Sequence, residues 1–220
     1  MKTNIITITF LFLMIALTST AQDEEVADSV RSGFGIHSVN LTASFYQPQM
    51  DYWNDTYLPF VGITETFGGN LAFGGNITFS LPANLRVRTG VSVWSGEVIG
   101  TPTSKIGGLK IGLTRFNLGL FYAPEAVGFS GFQPYLGVEG QLYQIKNDFT
   151  AGDVTNQQGS DISFAPVIGL DRTFGLVNCG LELKYNMGSY VQEVEMNTGI
   201  AENDVSINGP EVIVTIGYKF

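Results

Sequence analysis

One pattern constrains this chain more than any other: short segments in which every second residue is apolar. The segment 70–81 shows it most cleanly, with Leu71, Phe73, Gly75, Ile77, Phe79 and Leu81 opposing Asn70, Ala72, Gly74, Asn76, Thr78 and Ser80. Side chains along a β-strand point alternately to opposite faces, so one face of such a strand is oily and the other polar or bare. Eight segments carry the pattern: 39–45, 70–81, 85–93, 109–122, 134–143, 162–171, 177–187 and 210–220. The last places Val212, Val214, Ile216, Tyr218 and Phe220 on one face. The uniform face is the apolar one, while the opposite face collects charge and glycine. That is the reverse of a soluble ligand-binding barrel, and it predicts outward-facing apolar residues in a transmembrane barrel.

The links between segments alternate in length. Those at 82–84, 123–131 and 172–175 are compact, whereas 47–67, 95–106, 146–161 and 188–209 are long. Short turns at one end and long loops at the other, with an even strand count, are the pattern of an outer-membrane barrel with both termini in the periplasm. The expected fold is therefore all-β: an eight-stranded antiparallel up-and-down transmembrane β-barrel. Two irregularities are expected within it. The apolar parity changes from Leu109, Ile111 and Leu113 to Phe116, Leu118, Leu120 and Tyr122, which predicts a bulge near Thr114. Pro166 cannot donate to a ladder and predicts a local bulge or an irregular rung.

The amino-terminal end adds an address. Met1-Lys2 is basic, residues 5–17 are apolar apart from Thr7 and Thr9, and small residues run to Ala21. This reads as a secretory signal peptide over 1–21, cleaved after Ala21, followed by a periplasmic segment at 22–32 and a barrel domain at 33–220. The apolar run falls short of the ~20 residues a spanning helix needs. The formal net charge of −9 argues against nucleic acid as a partner, because phosphate binding needs clustered Lys and Arg. Cys179 is the single cysteine, so an intrachain disulfide and a cysteine-based zinc site are both excluded. No cofactor or metal is expected, and Asp148, Asp153 and Asp161 lack the spacing of a calcium loop.

Ala21-Gln22, the segment Pro134-Tyr-Leu-Gly-Val-Glu-Gly140 and the ending Tyr218-Lys-Phe220 together give the chain a family likeness. It resembles the small eight-stranded outer-membrane β-barrel family of the OmpX and OmpA-transmembrane type, in particular the short porin-like barrel proteins of Bacteroidota. The resemblance covers essentially all of 22–220. It implies the outer membrane of a Gram-negative cell as location and a monomer surrounded by outer-membrane lipid and lipopolysaccharide. It also implies that the barrel-assembly machinery reads Tyr218 and Phe220.

Three constellations bear on function. The inward-facing charges come first: Arg115, Glu139, Glu182 and Lys184 fall at mid-depth, with Arg86, Arg88 and Asp171 lower. Buried charges are costly unless paired, so these predict a salt-bridge network that plugs the lumen, with an ion or proton path as the rival reading. The long first loop comes second, where Tyr52, Trp53, Tyr57 and Phe60 form a candidate surface-recognition patch for an unknown ligand, or else pack as loop and interface aromatics. The acidic fourth loop comes third, with Glu193, Glu195, Glu202 and Asp204 exposed to solvent or bridged by cations to lipopolysaccharide. His37, the single histidine, lies at the rim, far from where the resemblance would put an active site, and no residue is assigned a catalytic role.

The resulting expectation is a non-enzymatic filled scaffold that presents acidic and aromatic outer loops, serving envelope integrity, adhesion or surface interaction. A narrow OmpW-like channel for small or apolar solutes is the alternative, because Gly74, Gly90, Gly137, Gly169 and Gly180 can leave space in the lumen. An outer-membrane lipid-modifying enzyme or protease is the second alternative.

Overall fold

A computed structural model describes residues 34–124, 131–150, 157–196 and 199–220. The proposed signal peptide and periplasmic segment lie outside the described residues. Ten strands are present among them: β1 (Gly35–Tyr46), β2 (Asn70–Leu81), β3 (Leu85–Ile99), β4 (Gly108–Tyr122), β5 (Phe132–Thr150), β6 (Gln157–Phe174), β7 (Val177–Asn186), β8 (Ser189–Met196), β9 (Gly199–Ser206) and β10 (Gly209–Lys219). Between β1 and β2 lie α1 (Tyr52–Tyr57), wound as a π-helix, and α2 (Leu58–Phe60), a single α-turn.

Eight strands close an antiparallel barrel in the order β1-β10-β7-β6-β5-β4-β3-β2, while β8 and β9 pair only with each other. The eight alternating segments are the eight barrel strands, and β8–β9 is a hairpin inside the fourth long loop. The seam joins Ser38 to Lys219 and Tyr46 to Glu211, so the first and last strands meet edge to edge and no long edge is left open. Faces sort by sequence parity. Leu41 is 71% exposed and Val138 61%, while Asn40, Ser44 and Glu139 are buried inside.

The two expected irregularities resolve differently. β4 pairs without interruption to β3 and β5 through Thr114, so there is no bulge there. Leu109, Ile111 and Leu113 face inward, in line with Arg115, because the upper lumen is apolar. The parity change records a change in what fills the interior, not a break in the strand. Pro166 keeps β5–β6 in register opposite Val138. On its other side, the β6–β7 ladder runs from Val177 only to the Val167–Lys184 rung, with one isolated bridge beyond it at Phe164–Met187. The missing N–H therefore falls on the β7 side, where the rung is absent. A register shift occurs instead in β1 between Ile36 and Ser38, at His37.

At the short-turn end, Gly175 adopts φ 60 in the tight β6–β7 turn, and Ala83 and Asn84 adopt φ 63 and 60 between β2 and β3. At the other end β3, β4, β5 and β6 outrun their expected lengths, so much of the second and third long links is strand. Their inner faces wall a hydrophobic core formed with loop 1: Trp94, Leu109, Ile111, Leu113 and Tyr143 from the barrel meet Met50, Trp53, Tyr57, Leu58 and Ile63. Asn54 fastens the loop, donating to the carbonyls of Gln49 (3.2 Å) and Phe67 (3.1 Å) and accepting from the Phe67 N–H (2.7 Å).

Candidate functional site

Alternation turns every second residue of the lower barrel inward, many of them polar or charged, and an eight-stranded lumen is narrow enough for these to meet. Nearest the short turns, Arg86 Nη1 lies 2.7 Å from Asp171 Oδ2. Above this pair, Arg88 donates to Glu139 Oε1 through Nη2 (2.7 Å) and to Glu182 Oε2 through Nη1 (2.6 Å). The Tyr135 hydroxyl also donates to Glu182, at 2.8 Å, and Lys184 Nζ lies 3.1 Å from Glu139 Oε2. Higher still, Arg115 grips Glu211 with both Nη atoms, at 2.5 and 2.7 Å. Glu211 additionally accepts from Ser44 Oγ at 2.6 Å and Asn186 Nδ2 at 3.0 Å, and lies 3.5 Å from Lys184.

All seven of the lumen residues singled out from the sequence are joined here, with two changes. Arg88 belongs to the middle tier, since it bridges Glu139 and Glu182. Glu211 joins the set, and its parity with Ile213 and Thr215 on the inward face of β10 is the sequence signal for it. With Glu211 included, Arg86, Arg88, Arg115 and Lys184 balance Glu139, Asp171, Glu182 and Glu211. Lys184 and Glu211 are nearly fully buried, and such charges persist only because each is paired and hydrogen-bonded.

Two small voids border Arg88 in the polar lumen. One below Arg88, bordered by Asn40, Tyr135 and Asp171, and one above it, bordered by Asn117, Lys184 and Glu211, have about 20 Å³ each. That is room for a water or two. Aromatic side chains crowd two of the lumen glycines. Phe121 occupies the space beside Gly137, and the Tyr135 ring occupies that beside Gly169. Phe121 also lies under the Arg88 guanidinium, 4.2 Å from its ring centre.

The candidate recognition patch of loop 1 requires correction. Tyr52, Trp53 and Tyr57 are buried, so they are out of reach of an external partner. Trp53 Nε1 donates to the Tyr190 hydroxyl of β8 at 2.8 Å and packs edge-on against Tyr57, with ring centres 5.2 Å apart. Burial, together with neighbouring Tyr52, pushes the Tyr57 hydroxyl up to about 12. The sequence signal for this inward face is the helical spacing of Met50, Trp53, Tyr57 and Val61. Phe60 is the member that stays exposed, and Lys105 Nζ lies 3.8 Å from its ring centre.

The remaining candidates are dispersed. On β8–β9 the exposed carboxylates Glu193 and Glu202 stand directly opposite each other, and Asp204 is exposed. Asp148 is paired with Lys146 at 2.8 Å, Asp161 accepts from the Ile162 N–H, and Asp153 lies outside the described residues. His37 Nδ1 lies 3.2 Å from Ser80 Oγ, and its carbonyl accepts from the Phe220 N–H at 3.1 Å. Tyr218 and Phe220 face outward and pack edge-on, 4.9 Å apart.

Set beside solved structures, the barrel fold is shared. The chain is similar in fold to Neisserial surface protein A, at 14% identity and a TM-score of 0.57 over 86% of this chain and 99% of that one. It is also similar to the outer membrane protein OprG of Pseudomonas aeruginosa, at 15% identity and a TM-score of 0.63 over 84% of this chain and 96% of that one. The common property is the closed eight-stranded antiparallel barrel. No family model and no curated protein matches the chain.

Proposed function

We propose that this chain is a non-enzymatic integral outer-membrane barrel whose lumen is filled, a scaffold that holds its long-loop end rigid for envelope integrity, adhesion or surface interaction. The observation that carries this reading is the interior itself. A balanced four-cation, four-anion network fills the lower lumen and leaves voids of about 20 Å³ each, while the aromatic core of loop 1 fills the upper part. The outward band of Leu41, Phe73, Val138, Ile162, Phe164 and Ile216 supports a hydrocarbon surrounding, since a contiguous apolar surface of this extent is unfit for water.

With the short turns in the periplasm, the display surface is the opposite end: exposed Phe60 with Lys105, and the acidic face of β8–β9 carrying Glu193, Glu202 and Asp204. Tyr218 and Phe220, beside the β1–β10 seam, are then the residues read by the assembly machinery. Cell fractionation combined with surface labelling tests the location and orientation. The chain is expected in the outer-membrane fraction, migrating faster unheated than boiled, with Lys105 and Lys110 labelled on intact cells. Recovery as a soluble protein, or labelling only after the outer membrane is opened, contradicts the reading.

A further inference from the structure

Each of the lumen arginines holds a carboxylate, and Arg172 stands outside that network. It breaks the outward apolar face of β6 at the short-turn end, where its guanidinium carbon lies 4.7 Å from the ring centre of Phe132 and 4.8 Å from that of Phe174. Among the described residues no acidic side chain forms an ion pair with it. Two aromatic rings hold the planar group, and its N–H edges remain available for an anion.

A concave apolar surface adjoins this cation. The strand register places Phe132, Arg172 and Cys179 in one outward row across β5, β6 and β7. The next row is Pro134, Leu170 and Leu181, and the one after is Leu136, Ile168 and Leu183. Those six residues line a groove of about 490 Å³. Alternate residues on a strand are ~7 Å apart, so the guanidinium sits one step beyond the end of the groove, on the side towards the short turns.

We propose that this face binds one anionic glycerophospholipid of the periplasmic leaflet, with the phosphate on Arg172 and an acyl chain along the groove. The inference rests on the membrane reading above and adds to it a defined lipid site. Arginine presents a fork of donors that matches phosphate oxygens, and the flanking rings keep the fork at headgroup depth. The groove supplies what the charge alone does not, a place for the chain attached to that phosphate.

The test uses the full chain in nanodiscs containing phosphatidylglycerol and phosphatidylcholine, followed by native mass spectrometry of lipids that stay bound. The wild-type barrel is expected to keep phosphatidylglycerol preferentially, and Arg172→Gln to lower that retention about tenfold. Arg172→Lys is expected to fall between the two. Leu181→Trp, which fills the groove, is expected to lower retention of both lipids. Equal phosphatidylglycerol retention by wild type and Arg172→Gln overturns the proposal, as does preference for lipid A when both are supplied. A barrel that stays outside the disc overturns the membrane reading as well, whereas one that enters the disc and is indifferent to Arg172 overturns this inference alone.

Discussion

Replacing Glu211 by Gln is expected to lower the unfolding free energy of the barrel by about 3–5 kcal/mol, because it leaves a fully buried guanidinium without its counter-charge. Arg115 makes both of its short contacts to the two oxygens of this carboxylate, and Lys184 leans on it as well. Lys184 retains Glu139, so most of the loss falls on Arg115. Coulomb attraction inside the lumen is strong only while both partners are present. The desolvation penalty of the survivor then dominates. The double change Arg115→Met with Glu211→Leu removes both charges and is expected to recover most of the stability. Urea unfolding in lipid bilayers, followed by heat-modifiable migration, measures both variants. A Glu211→Gln barrel as stable as wild type would show that the network does not hold the lumen together.

The second large effect lies at the other end. Trp53→Ala is expected to cost about 3–5 kcal/mol in the loop 1 core, from the cavity it leaves. It also strips the Tyr190 hydroxyl of its Trp53 donor and removes the ring that packs against Tyr52, Tyr57 and Phe149. Because this core lies above the ion-pair tiers, the damage is expected to be local. Limited proteolysis should cut within residues 47–69 while the lower barrel keeps its heat-modifiable migration. Global loss of the barrel on this substitution, or no change in cleavage, would contradict a separate upper plug.

These two sites mark where the sequence was legible and where it was not. Strand faces were readable because a barrel in lipid enforces one rule on its outside, and Leu41, Phe73 and Val214 obey it. The inside follows no such rule. Leu109, Ile111 and Leu113 are apolar yet inward, since protein rather than water fills the lumen above Arg115. An argument that equates apolar with outward must therefore place a false bulge at Thr114. For Tyr52, Trp53 and Tyr57 the choice between a surface patch and loop packing stays open in the sequence, because alternation says nothing about a loop that folds back into the barrel. Among the lumen charges, pairing was foreseeable from sign and parity, but partner choice depends on the stagger of the strands. Register alone brings Arg115 of β4 to Glu211 of β10, 96 residues away.

The claim that ties these observations together is that the lumen is closed. Single-channel recording of the purified full-length barrel in a planar lipid bilayer tests it most directly. The filled-lumen account predicts insertion without steady conductance, because small ions have no continuous path through the three ion-pair tiers and the loop 1 core. Steady, voltage-independent openings from the wild-type protein would contradict it.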